Sequence, residues 1–166
     1  MAKRSISLLL LLCLLACLSG CESVVLPGAD GTAWGEPGNR MRTACFDFIV
    51  HTAAEAADYE GVRPGPGEKL VLLDITVYNT SGGELDVYDT DFHLLWGENG
   101  YADTIGTAHS DMAPPCITLA AQEKARYLYA YAVPADAHDF RLCFLDTVIT
   151  GTSAASSLFC VTFSTG

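Results

Sequence analysis

Between residues 69 and 78 the chain alternates strictly. Val71, Leu73, Ile75 and Val77 fall on one side, and Leu70, Leu72, Asp74, Thr76 and Tyr78 on the other. A period of two with β-branched residues on one face is the pattern of a half-buried strand, and a helix would scatter the same four side chains around its axis. The pattern recurs. In 41–50, Ala44, Phe46, Phe48 and Val50 oppose Cys45, Asp47 and Ile49, and in 124–133, Tyr127, Tyr129, Tyr131 and Val133 align. Segments 140–148 and 156–163 alternate too, and shorter strands are expected at 84–88 and 92–96. Asn79-Thr80-Ser81-Gly82-Gly83 and Gly97-Glu98-Asn99-Gly100 read as turns, Gly151-Thr152 as the link between the last two strands. Pro134 ends its strand because it can donate no ladder hydrogen bond. Only 52–59, with four alanines, offers a helix, and it lacks a strong cap. No internal repeat is present. Seven or so short strands at this spacing predict an all-β fold, an antiparallel β-sandwich, over residues 40–166.

The N-terminus predicts an address. Lys3 and Arg4 precede an almost wholly apolar run, residues 6–18, which is shorter than the roughly 20 residues a membrane-spanning helix needs. Leu18-Ser19-Gly20-Cys21 then matches the bacterial lipobox. Small residues admit a peptidase, and the Cys21 thiol can carry a thioether-linked diacylglycerol. Cys17 is the weaker alternative, because bulky Leu15 stands where a small residue is preferred. Residues 1–20 are therefore expected to be a signal peptide, and Cys21 the lipid-bearing residue. Glycines and prolines crowd the next stretch, so 21–39 is expected to be a flexible tether. Two acyl chains anchor stably, each buried methylene contributing about 0.8 kcal/mol. The expected location is the extracytoplasmic face of a cell membrane.

Two of the nine basic residues, Lys3 and Arg4, lie in the signal. The remainder carries seven basic against 20 acidic side chains, a formal net charge of −13. That balance argues against nucleic-acid partners, which need a basic footprint. It argues equally against adhesion to anionic lipid through charge.

Outside the signal and Cys21, four cysteines remain: Cys45, Cys116, Cys143 and Cys160. An even number in an exported chain suggests disulfides. Cys143 lies opposite Phe140, Leu142 and Phe144 in parity, Cys160 opposite Phe159, Val161 and Phe163. Both therefore point away from the core, and they are symmetric about Gly151-Thr152. A Cys143–Cys160 bond is expected, with Cys45–Cys116 by elimination. Their spacing does not suit zinc.

The pieces Phe46-Asp47-Phe48-Ile49-Val50, Gly67-Glu68-Lys69-Leu70, Asp74-Ile75-Thr76-Val77-Tyr78-Asn79, Tyr88-Asp89-Thr90-Asp91-Phe92, Leu94, Trp96, Val133-Pro134, Asp139-Phe140 and 159–163 occur in a telling order. Together they resemble the bacterial immunoglobulin-like lipoproteins of unknown function, grouped with the mycobacterial secreted-antigen sandwich. The resemblance covers about residues 40–164. It implies an immunoglobulin-like sandwich and carries no established catalytic residues. The chain departs from the family in its cysteines and at Ala113-Pro114-Pro115-Cys116.

Asp86, Asp89 and Asp91, with Asp103 beyond, are the candidate calcium ligands, since loop carboxylates can supply several of the six to eight oxygens calcium takes. Asp91 could instead accept a backbone N–H in the turn before Phe92. No other cofactor is suggested. His51, His93, His109 and His138 are scattered, and sequence neighbours such as His109-Ser110-Asp111 cannot face one another as a triad. The tyrosines at 127, 129 and 131 are expected to be core, because Val133 continues their face. The function expected is a non-enzymatic binding or interaction module with an unknown protein or envelope ligand. The alternatives are an assembly lipoprotein of an envelope complex, or a calcium-dependent or hydrolytic domain.

Overall fold

The computed structural model describes residues 23–106, 109–150 and 153–166. The signal peptide, the lipobox Leu18-Ser19-Gly20, Cys21 and the Gly151-Thr152 link lie outside the described residues. Among the described residues there are twelve strands: β1 (Val24–Val25), β2 (Thr32–Gly35), β3 (Arg40–Arg42), β4 (Phe46–Ala56), β5 (Glu68–Asn79), β6 (Leu85–Tyr88), β7 (Phe92–Trp96), β8 (Gly100–Ala102), β9 (Cys116–Leu119), β10 (Lys124–Pro134), β11 (Asp139–Thr150) and β12 (Ser153–Ser164). A first sheet runs β1-β3-β4-β5-β10, a second β2-β12-β11-β7-β8, and β6 pairs with β9. The count exceeds seven, and the pairing is mixed rather than purely antiparallel. Both departures come largely from the N-terminal segment. β1 lies parallel to β3, and β2 lies parallel to β12.

The tether reading of 21–39 is thus corrected for its described part. Thr32-Ala33-Trp34-Gly35 is an edge strand whose ladder comes from Leu158, Phe159, Cys160 and Val161. Its glycines serve turns and close approach: Gly31 sits at φ 76°, and the Gly35 backbone lies against Met41, where an added Cβ would come within 2.6 Å of Sδ. The helical option at 52–59 is also corrected. β4 takes one extra residue at His51, then pairs Thr52 with Asp74 and onward to Ala56 with Leu70. Twelve-residue β5 offers a full edge there, and its ladder outweighs the helix propensity of alanine.

The core is aromatic and joins the two sheets. Phe46 and Phe48 on β4 and Tyr129 on β10 meet Phe92 on β7 and Phe144 on β11. Their rings lie mostly edge to face, with centroids 4.8 Å apart for Phe46–Phe144, 5.3 Å for Phe48–Phe92 and 5.4 Å for Phe92–Tyr129. Tyr129 and Tyr131 are buried, as the alternation expected. The Tyr131 hydroxyl donates to the Phe92 carbonyl at 3.2 Å. The Tyr129 hydroxyl is buried with no partner among the described residues. Burial pushes both phenols above their ordinary pKa.

Candidate functional site

On the second sheet, Phe140, Leu142, Phe144, Phe159 and Val161 face inward, so the residues between them form the outer face. At its centre Cys143 and Cys160 are register partners joined by a disulfide, with Cα atoms 4.3 Å apart. The expected pairing is therefore present. Both cysteines are nonetheless buried, flanked in register by Trp34 on β2 and His93 on β7. Cys45 and Cys116 are free thiols, which corrects the pairing by elimination. Cys45 precedes β4 in the first sheet, whereas Cys116 opens β9 opposite Tyr88.

The outer face around the disulfide mixes polar and apolar side chains, with His93, Arg141 and Thr162 near it and Thr147 bonded to Ser156 further along β11 and β12. Trp34, Tyr101, Leu145 and Ile149 share its parity and are 53%, 50%, 57% and 74% exposed. Tyr101 bonds His93 Nδ1 at 3.0 Å and donates to the Asp103 carboxylate, which is the main cause of its raised phenol pKa. Beyond Leu145 and Leu158, β11 and β12 pair only with each other among the described strands, since β7 pairs with β11 only as far as Phe144 and β2 with β12 only from Leu158. Both sides of that ribbon are open, and Val148 on its inner side is 41% exposed. A groove of about 730 Å³ at the opposite end of β11 and β12 is lined by Glu36, Phe140, Arg141, Thr162 and Phe163.

The candidate acids do not converge. Asp86 accepts from Thr118 at 2.6 Å, Asp89 is buried, and Asp91 accepts the Tyr88 N–H at 2.8 Å in the turn before Phe92. Among the described residues no group of three or more His, Cys, Asp or Glu side chains could hold a metal ion. The histidines are separate: His51 bonds Thr76 at 2.8 Å and His109 bonds the Glu60 carbonyl at 2.6 Å. Asp111 takes the Tyr59 hydroxyl, a bond that lifts that phenol to about 12.

The first sheet presents something the sequence concealed. Register places Arg42, Asp47, Tyr78 and Lys124 in one row of its outer face, and Arg40, Ile49, Thr76 and Arg126 in the next. Four of the seven Lys and Arg residues outside the signal meet there. Asp47, fully buried, receives Arg40 at 2.7 Å and Arg42 at 3.3 Å through one carboxylate oxygen. Arg126 grips Asp74 with two bonds of 2.7 and 2.5 Å, holding that carboxyl below its ordinary pKa. The Tyr78 ring lies 4.4 Å from the Arg40 guanidinium and 5.7 Å from the Lys124 ammonium. Lys124 makes no ion pair among the described residues. Beside it, His51, Thr76, Tyr78, Lys124 and Arg126 surround a hollow of about 230 Å³.

These two packed sheets define an immunoglobulin-like β-sandwich, the class that the sequence resemblance implied. No protein-family model matches the chain, and no curated protein matches it in sequence. Solved structures do share the fold. The yjhA protein of Bacillus subtilis aligns with a TM-score of 0.59 at 13% identity, over 76% of this chain and 99% of that one. The secreted protein MPT63 of Mycobacterium tuberculosis aligns at 0.55 and 11%, over 84% and 98%. The candidate lipoprotein ycdA of Bacillus subtilis aligns at 0.56 and 11% over 72% of this chain, which spans only 37% of ycdA.

Proposed function

We propose that this chain is a lipid-anchored, extracytoplasmic, non-enzymatic module that binds a protein partner through the outer face of its second sheet. The observation that carries the reading is the exposed set Trp34, Tyr101, Leu145 and Ile149 on the face that holds the disulfide. Aromatic and aliphatic side chains grouped on one face are what partner-binding surfaces use, whereas single exposed apolar residues are commonplace. The ribbon of β11 and β12 extends that face beyond the sandwich. Anchoring rests on the lipobox ending at Cys21 and on the likeness in fold to a candidate lipoprotein and a secreted protein.

The test is a photo-crosslinking amino acid placed at position 149, with position 84 as a control, in intact cells. A discrete adduct from 149 and none from 84 supports the surface. No adduct from 149, or the same adducts from both, removes it. Anchoring is tested separately by palmitate labelling, which Cys21→Ser should abolish.

A further inference from the structure

We propose that the outer face of the first sheet lies against an anionic phospholipid surface, so that the lipid on Cys21 holds the sandwich in one fixed orientation. The inference rests on the anchoring reading above. It starts from chain length. Cys21 precedes Ser23 by two residues, and Ser23 is already part of the fold: its carbonyl accepts the Arg40 N–H at 3.0 Å and its hydroxyl accepts Asn39 Nδ2 at 2.8 Å. Two residues reach no more than about 7 Å. A lipidated Cys21 therefore draws the β1 edge of the first sheet down to the headgroups.

That edge adjoins Arg40 and Arg42 on β3, and Lys124 and Arg126 lie across the same face on β10. Neighbouring strands lie about 4.8 Å apart, so Arg40, Arg42, Lys124 and Arg126 all sit within roughly 20 Å of β1. Among the described residues, the acids in these rows and the next are Asp47 and Asp74, both engaged by arginines, so four cations there face two carboxylates. Glu22 in the link is common to every orientation and selects none. The chain's net negative charge does not oppose the contact, because screening over about 8 Å at physiological salt lets the nearest groups decide. Strong negative charge elsewhere turns the other faces away from the same surface. Val24 and Leu26, 44% and 60% exposed beside the anchor, supply apolar contact. Tyr78 offers the amphipathic ring favoured at headgroup level. The hollow beside Lys124 is open to a lipid phosphate.

Native thiols make the test simple. Cys45 is exposed at the same end of β4 as Asp47, and Cys116 lies on β9, outside the first sheet. The processed, lipidated protein is reconstituted on vesicles of phosphatidylcholine alone or with phosphatidylglycerol, and alkylation by an impermeant maleimide is followed at each thiol. Phosphatidylglycerol should slow Cys45 by about tenfold and leave Cys116 unchanged, the scale expected for a few basic side chains at an anionic surface. The double variant Arg42→Gln/Lys124→Gln, or high salt, should restore the phosphatidylcholine rate. Equal Cys45 rates on both vesicles, with the protein still floating with them, would overturn the docking. So would protection that millimolar inorganic phosphate removes, since the hollow would then serve a free anion. Failure to float with either vesicle would instead refute the anchor.

Discussion

Tyr129 and Tyr131 stand two residues apart on one face of β10, both buried, yet their hydroxyls have opposite circumstances. Tyr131 donates to the Phe92 carbonyl, whereas Tyr129 finds no protein acceptor among the described residues. Removing each oxygen should therefore move stability in opposite directions. Tyr131→Phe loses a buried hydrogen bond, at a cost of about 1 kcal/mol. Tyr129→Phe removes a buried hydroxyl that had been stripped of water without compensation, a penalty of about 1–3 kcal/mol, less the small dispersion the oxygen supplied. The variant should be at least as stable as the parent, and the pair should differ by about 2 kcal/mol. Urea unfolding followed by tryptophan fluorescence reads this directly, with equal m-values for all three proteins so that the midpoints compare. A Tyr129→Phe variant weaker than the parent by 1 kcal/mol or more would refute the reasoning, because the hydroxyl must then have a partner.

Three further outcomes follow from the same structure. Both buried phenols have raised pKa values, so below pH 10 the folded and unfolded chains hold these protons equally. Above it only the unfolded chain releases them. Stability should then fall by about 1.4 kcal/mol per pH unit for each tyrosine, and urea midpoints from pH 9 to 11 should decline less steeply in the double phenylalanine variant. Replacing Cys143 and Cys160 with alanine opens a link spanning 17 residues and should cost about 3 kcal/mol, measured against the oxidised parent; a midpoint unchanged within error would show that the bond does not form. Gly35→Ala drives a methyl into Met41, which is fully buried between the sheets, and should destabilise by about 1–3 kcal/mol in the same assay, whereas a neutral result would mean the sheets can part there.

What the sequence revealed depended on whether an element's pattern lay within itself. β5 and β10 alternate over ten residues and β11 and β12 over nine and eight, and their inward faces read correctly from period alone. The Cys143–Cys160 pair followed because hairpin symmetry is local. β2 escaped notice because Thr32-Ala33-Trp34-Gly35 is too short to show a period. Its ladder is supplied by β12, at the far end of the chain, and its glycines resemble those of a linker. β9 was hidden in the same way behind Pro114-Pro115. The cationic rows were invisible for a different reason. Arg40, Arg42, Lys124 and Arg126 are separated by most of the domain, and a net charge adds every side chain without regard to the strand register that brings these four together. The exposed face of the second sheet was half legible. Leu145 and Ile149 lie on the parity opposite the core, but Trp34 and Tyr101 belong to strands the periodicity did not reveal.

The parallel pairing of β2 with β12 also dictates an order of events. A chain made amino end first presents Thr32 long before Leu158 exists to join it. Until β12 arrives, the second sheet lacks the strand that unites β2 with β11, and Ala33 has nothing to cover it. The second sheet can therefore close only once the last strand has been made.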